Sequence, residues 1–474
     1  MEQTQFLQSI KDGLPKTSKS KKIIIAGAGL AGLVAGYELK KAGYEVLILE
    51  ARNRVGGRIF TLRHPFSDGL FSEAGAMRIP KKHLLTLAYI EKFGLKTASF
   101  TNYNPNAYIF INGKKLRMKD AERNEEFFGY PLNSLEKGKS AEELWLEVIQ
   151  PFIKKIEIEG IEGWNAIVRD YDQYSVREFL EIKGWSEGAI ERFGLIFNQE
   201  AIMNSSFLEL LREEVGQYYS EMVTIQGGMD QLPHAFLHEL RNDIWYGQRI
   251  IAIQQGESSV TFHSRSFSGR HSFNGEYGII TIPFPVLRHI EFHPPLSPGK
   301  QKAIRQLHYD ASAKIFLQFR KRFWEAEGIF GGRTITDLAI RNVYYPAPTS
   351  GHTRGVLLAS YTWGEDAQRW GSLPEEERLR QSLENLSIIH PEAEKEFEVG
   401  SSYMWHDDEF AGGAFALFDP GQQTLLYDHI RKPEGRLYFA GEHTSLFHAW
   451  IEGALESGLR SAFEISKAVL TESK

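Results

Sequence analysis

Three glycines, one carboxylate and two arginines, all within residues 27–58, carry the densest chemistry in this chain of 474 residues. Gly27, Gly29 and Gly32 stand in G-A-G-L-A-G directly after Ile23, Ile24 and Ile25, a run that predicts a short buried parallel strand. After such a strand the first glycine makes a tight turn, the second lets backbone approach a pyrophosphate, and the third lets the next helix pack closely. That helix is expected over Leu30–Lys41, and its free N–H groups and partial positive end attract phosphate. A second strand, expected at Glu45–Leu49, ends at Glu50, about 20 residues past the glycines, where a carboxylate can accept hydrogen bonds from a ribose diol. The spacing predicts a dinucleotide.

Which dinucleotide depends on the residues that follow. Glu50 and Ala51 continue into E-A-R-x-R-x-G-G-R, with Arg52, Gly56, Gly57 and Arg58, so that a glycine pair lets a second backbone segment reach a diphosphate while arginines offset its charge. This extension resembles the flavin amine oxidases and is not expected of ordinary nicotinamide dehydrogenases, which implies FAD. Near the other end, R-L-Y-F-A-G-E-H-T and A-W-I-E-G-A-L-E-S-G-L-R-S-A are similar to the closing motif of the same group, where a second helix N-terminus meets the flavin. Its Gly441, Gly453 and Gly458 allow close approach, and Glu442 can hydrogen-bond the ribityl or phosphate region. The resemblance implies cofactor contacts from Gly27, Gly29, Leu30, Ala31, Gly32, Glu50, Ala51, Arg52, Gly57, Arg58, Gly75, Ala76, Met77, Arg78, Ile250, Trp405, Gly441, Glu442, Trp450, Ile451 and Ala454. The sequence has no cysteine, so no thioether to the flavin can form and the FAD is expected to be non-covalent.

Four further segments, E-A-G-A-M-R-I-P from Glu73, I-Q-G-G-M-D-Q-L-P from Ile225, K-I-F-L-Q-F from Lys314 and H-A-W-I-E-G-A from His448, look like the L-amino-acid oxidases, including the secreted venom type. The resemblance covers nearly the whole chain and is weakest in a helical middle portion. It implies that Arg78 binds the substrate carboxylate, a task suited to a planar fork that donates two parallel hydrogen bonds, with the Tyr361 phenol in support. It implies that Lys314 sits near flavin N5 through a bridging water. A lysine in the apolar run A-K-I-F-L-Q-F needs such a specific partner to offset desolvation. Arg78, Tyr361 and Lys314 are the expected catalytic set, and Trp405 and Trp450 the aromatic walls beside the amine. Ala414 is expected in the side-chain pocket, where a small residue leaves room for large apolar or aromatic substrates. Two positions depart from the pattern. Ala449 replaces a glycine whose carbonyl faces the amine, and Glu213 replaces a histidine, which removes any histidine base.

The implied activity is oxidative deamination of L-amino acids to 2-oxo acids, ammonia and hydrogen peroxide by hydride transfer to FAD, with L-amino acid and molecular oxygen as partners. Alternatives at this level are an amino-acid 2-monooxygenase forming an amide, a monoamine or polyamine oxidase, and a catalytically idle flavoprotein that only binds. His443 and His448, in the closing motif, could suggest a metal site together with Asp407 and Asp408, but the spacing matches no standard ligand set, so no metal is expected.

The elements that must position these residues suggest a discontinuous α/β protein. At this length two or three domains are expected. A Rossmann-like FAD-binding domain is assigned to residues 20–58, 226–300 and 432–474, a mixed-sheet substrate-binding domain to 59–118 and 301–431, a helical domain to 119–225, and an N-terminal segment to 1–19. Apolar residues three and four apart mark the helical insertion over 139–216. Strands are expected at 243–254, 259–263, 277–281 running into a turn, 313–319, 355–362 and 436–440, and a last helix at 453–469. The basic cluster between Lys114 and Lys119 is expected to be a solvated turn. The charges, 55 basic against 61 acidic, form no basic stripe, which argues against nucleic acid. No apolar run reaches membrane-spanning length and the first residues lack the apolar core of a signal peptide, so a cytoplasmic enzyme is expected, as a homodimer.

Overall fold

Three distant stretches of chain build one parallel sheet. In the computed structural model, which describes residues 3–347 and 353–471, the strands Ile244–Trp245, Glu45–Leu49, Lys22–Ala26, Tyr277–Ile280 and Leu437–Phe439 lie side by side in that order. The central strand is buried from Ile23 onward, as its unbroken apolar run requires. Helices Leu30–Lys41 and Ile451–Thr471 cover this sheet and touch through backbone: a Cβ on Gly458 would fall 2.4 Å from the Ala31 carbonyl oxygen. Both helices start at the carboxyl ends of parallel strands, the place where open α/β sheets bind ligands.

The second large sheet is mixed. Its order is Phe397–Met404, Ser312–Phe319, Gly355–Trp363, Asn342–Tyr344, Arg333–Thr336, Tyr108–Ile111 and Lys114–Arg117, with one parallel pair, Arg333–Thr336 beside Tyr108–Ile111. Strand Ser312–Phe319 is buried along its whole length, and its register sets Lys314 opposite both Tyr361 and Tyr403. Helices fill most of residues 141–216. Two of them, Ala141–Glu159 and Val176–Ile182, start with serine capping boxes, and the last, Phe207–Gly216, carries Glu209, Arg212 and Glu213 at spacings that share one face.

Four expectations are corrected. Residues 114–117 are not a solvated turn but an edge strand, because the stems of Lys115 and Arg117 pack on the Tyr108 ring, each head 4.1 Å from its centroid. The single strand expected over 243–254 is two, Ile244–Trp245 and Arg249–Gln255, in different sheets, with Gly247 at φ +69° between them. The turn after Tyr277–Ile280 contains a short helix, Phe284–Leu287. Within the range expected to be helical, Met222–Ile225 is a strand paired with Ile79–Pro80 and Thr97–Ser99. The N-terminal segment is itself docked: helix Gln3–Asp12 buries Phe6 and Ile10 in the core beneath the parallel sheet's helices. The expected domain limits at 1 and 474, and residues 348–352 of the expected substrate domain, lie outside the described residues. Among the described residues no helix is long and apolar enough to cross a membrane.

Candidate active site

One cavity of about 550 Å³ runs from the glycine turn to the mixed sheet. It gathers Gly27, Gly29, Leu30, Ala31, Glu50, Ala51, Arg52, Gly57, Arg58, Gly75, Ala76, Met77, Arg78, Ile250, Lys314, Tyr361, Trp405, Ala414, Gly441, Glu442, Ala449, Trp450, Ile451 and Ala454. Gly32 is not on its wall. It packs instead against the turn, where a Cβ would overlap the Gly27 carbonyl oxygen at 2.0 Å.

The turn end is built for a diphosphate nucleotide. Gly27 has φ +108°, which glycine adopts without strain, and a Cβ there would meet the Thr281 hydroxyl at 2.4 Å. Gly29 faces open space, so a Cβ would project into the cradle the backbone leaves free. The Glu50 carboxylate accepts the Ala28 and Arg52 backbone N–H groups at 2.7 and 2.8 Å, which fixes it at the cavity wall with lone pairs left for a diol. Arg58 donates to Glu442 at 2.7 Å and to the Ala414 carbonyl at 3.0 Å, while Glu442 also accepts the Ala416 and Ala449 N–H groups. Glu442 thereby ties the closing turn to both walls. Arg52 pairs with Asp408, whose carboxyl is lowered because the Tyr403 and Arg52 hydrogen bonds outweigh its burial.

The other end leaves its charges open. Lys314 is 2% exposed, and its Nζ donates to the Glu73 and Gly75 carbonyls at 2.9 and 2.7 Å and lies 4.6 Å from the centre of the Tyr361 ring. Burial lowers its pKa to about 7, with Arg78 adding to the fall and Glu73 opposing it. Arg78 is 9% exposed and donates to Asn102 Oδ1 at 3.0 Å and Tyr344 OH at 3.1 Å. Its guanidinium stands 5.2 Å from the Tyr219 ring, and among the described residues it has no carboxylate within salt-bridge range. Burial pushes the Tyr361 phenol up to about 12, so it is a donor at any working pH. Trp405 donates to the Ala74 carbonyl at 2.7 Å, and Trp450 donates to Glu213 at 3.0 Å. Ala449 has φ +63°, a left-handed backbone that costs a non-glycine residue roughly 1–2 kcal/mol.

The match to a family model fixes what this cavity belongs to: the model described as flavin containing amine oxidoreductase aligns with residues 30–466. The chain belongs to that family. FAD is its cofactor, and the glycine cradle with its two helix N-termini fits that group. Along 471 residues this amine oxidoreductase is 44% identical to a protein named putative L-amino-acid oxidase YobN of Bacillus subtilis (strain 168), covering 98% of each. It is 36% identical to an L-amino-acid oxidase of Siganus canaliculatus and 35% to one of Pseudechis australis, over 98% of this chain and 89% and 90% of theirs. Among solved structures, cyclohexylamine oxidase from Brevibacterium oxydans IH-35A superposes with a TM-score of 0.77 at 20% identity, over 95% of this chain and all of that one. A putrescine oxidase variant gives 0.77 at 22% identity, over 95% and 99%.

Sequence reasoning missed the residues that hold Arg78. Asn102, Tyr219 and Tyr344 come from three separate elements with no shared spacing, and only the Y-Y pair after the helix ending at Gly216 offered a signal. It also missed the buried cluster in which Glu209 accepts from Arg212 at 3.1 Å and contacts His448 Nδ1 at 2.9 Å. His448 is thus engaged with a carboxylate, while His443 packs edge-on to Phe284.

Proposed function

We propose that this oxidase deaminates free L-amino acids to 2-oxo acids, ammonia and hydrogen peroxide. The observation that carries the reading is Arg78: a buried guanidinium on the cavity wall, held by the Asn102 side-chain oxygen and the Tyr344 phenol with no carboxylate in salt-bridge range among the described residues, so that its charge is left for a substrate carboxylate. An amine lacking a carboxylate has no use for it. The names of the relatives at 35–44% identity support the same substrate class.

In this reading Arg78 and the Tyr361 phenol orient the carboxylate, and Trp405, Trp450 and the Ala449 carbonyl confine the α-amine. Lys314, whose pKa near 7 leaves it part protonated at neutral pH, holds a water with its remaining hydrogen-bonding capacity. FAD held at the glycine cradle would supply the redox chemistry, a two-electron oxidation at the α-carbon with molecular oxygen as the final acceptor. The residues contribute alignment of the C–H bond, since the cofactor carries the difficult chemistry. Water hydrolyses the imino acid. Ala414 leaves space for a long or bulky side chain, and without any cysteine the flavin is held non-covalently.

The test is a peroxide assay over the twenty L-amino acids and their decarboxylated amines, with product trapping. Peroxide and a dinitrophenylhydrazine-reactive 2-oxo acid from amino acids alone support the reading. Release of carbon dioxide with amide formation would assign a monooxygenase, and oxidation of the amines in preference would assign an amine oxidase. A flavin that no substrate bleaches anaerobically would leave only a binding protein.

A further inference from the structure

Among the described residues, Glu213 is the one carboxylate on the cavity wall with neither a cation nor a backbone amide to hold it. Glu442, Glu209 and Glu409 pair with Arg58, Arg212 and Arg249, and Glu50 accepts two amide N–H groups. The Glu213 carboxyl has only uncharged donors, the Trp450 indole N–H at 3.0 Å from Oε1 and the Tyr219 phenol. The same cavity holds Arg78, a cation equally without an ionic partner. A free α-amino acid supplies a carboxylate for the second of these, and the first is left asking for a positive charge.

The surroundings say where that charge should sit. Glu213 belongs to the helical insertion, which also brings Ile202, Tyr218 and Tyr219 to the wall together with the Glu209–Arg212 ion pair, so this side of the cavity sets aliphatic and aromatic surface around one carboxylate that no arginine pairs. That lining suits an amphipathic side chain, methylenes followed by a cationic head. The α-amine already has the tryptophan walls and the Ala449 carbonyl.

We propose that Glu213 selects amino acids with a long aliphatic side chain ending in a cation, such as L-lysine, L-ornithine or L-arginine, by pairing with the terminal ammonium or guanidinium. The inference rests on the amino-acid reading above and narrows its long or bulky side chains to cationic ones. Burial pushes the Glu213 carboxyl up to about 7, against the Trp450 and Tyr219 hydrogen bonds and the Arg78 charge, while Glu209 on the same helix helps to raise it. An unoccupied pocket near neutral pH therefore holds a mixture of acid and carboxylate. A cationic head stabilises the carboxylate, so preference for it rises as pH climbs through 7 and falls only when the substrate ammonium itself deprotonates, near 10.4 for lysine.

Two measurements on the FAD-loaded enzyme test this, using Glu213→Gln, which keeps an acceptor for Trp450. First, kcat/KM is compared for L-lysine and L-arginine against L-leucine and L-phenylalanine at pH 6 and 8.5. The parent should favour the cationic pair more strongly at pH 8.5, and the variant should lose about tenfold to a hundredfold on them with little change for the apolar pair. Second, calorimetry should show that 6-aminohexanoate, which is lysine without its α-amine, binds the parent more tightly than hexanoate, an advantage Glu213→Gln removes. Equal losses for both substrate classes, or hexanoate binding as well as 6-aminohexanoate, would overturn the role of Glu213 while leaving an amino-acid oxidase. A flavin that no amino acid reduces would overturn the functional reading and this inference with it.

Discussion

The two ends of the cavity treat charge in opposite ways. At the turn end the charges beside the glycine turn are matched within the protein: Arg58 by Glu442, Arg52 by Asp408, and Glu50 by two backbone amides. At the mixed-sheet end Arg78, Lys314 and Glu213 hydrogen-bond to phenols, carbonyls and an indole, and among the described residues none of the three is in a salt bridge. The first arrangement holds its shape before a resident cofactor arrives. The second is completed only by a transient visitor, and its tension is what makes the visitor bind. A charge paired inside the fold stabilises the fold, whereas a charge left open stabilises the complex.

Breaking a pair at the turn end should have the largest effect. Arg58→Met leaves the buried Glu442 carboxylate without a countercharge, held only by two backbone amides, and releases the Ala414 carbonyl, at a cost of up to about 3–5 kcal/mol. Urea unfolding should show that loss together with weakened FAD retention, and an unchanged midpoint would contradict the comparison. Removing an open charge should behave differently. Arg78→Ala should lower kcat/KM for amino acids by about thirty-fold to a thousand-fold, about 2–4 kcal/mol, without lowering thermal stability. Amines lacking the carboxylate should be indifferent to it. A fall in stability as large as that for Arg58→Met would mean that Arg78 serves the fold.

Lys314→Met sharpens the contrast through pH. The folded-state pKa of about 7 lies below the usual lysine value of about 10.4, so protonation opposes folding. That penalty is fully present below pH 7 and is relieved as pH rises from 7 towards 10.4. The variant should therefore gain stability over the parent most at pH 6 and least near pH 10, as read by thermal unfolding. In stopped-flow, its reduced flavin should persist roughly tenfold longer in oxygen if the lysine holds a water there. The smallest effect belongs to Ala449→Gly, which relieves the left-handed backbone and should raise stability by at most about 1 kcal/mol while easing entry of bulkier amines. A loss of stability would show that the Ala449 methyl packs better than its strain costs.

What could be read from sequence follows from how far apart the cooperating residues lie. The strand Lys22–Ala26, the glycine turn and helix Leu30–Lys41 were legible because one local spacing dictates all three. Lys314 was legible as a charge in an apolar run, but its two carbonyl partners, from residues 73 and 75, were not. The Lys114 cluster misled because charge was weighed and stem length was not: the methylenes of Lys115 and Arg117 cover Tyr108, and their backbone closes a sheet edge. Glu213 stood out as a replaced residue, yet its isolation among paired carboxylates exists only once distant segments of the chain surround one cavity.

The parallel sheet that begins at Lys22 ends with Leu437–Phe439, and that separation orders events during synthesis. The ribosome releases the glycine turn early, but the strand that borders Tyr277–Ile280, the Gly441 turn and the second helix N-terminus emerge only after some four hundred further residues. Until then the first strand, helix and acidic stop have nowhere to close a pocket, and their apolar faces wait on pairings of very long sequence separation, the kind that form slowly and expose sticky surface. Loading of the cofactor is therefore a late step, and growth limited for riboflavin should accumulate chains that are fully synthesised but easily aggregated or cut.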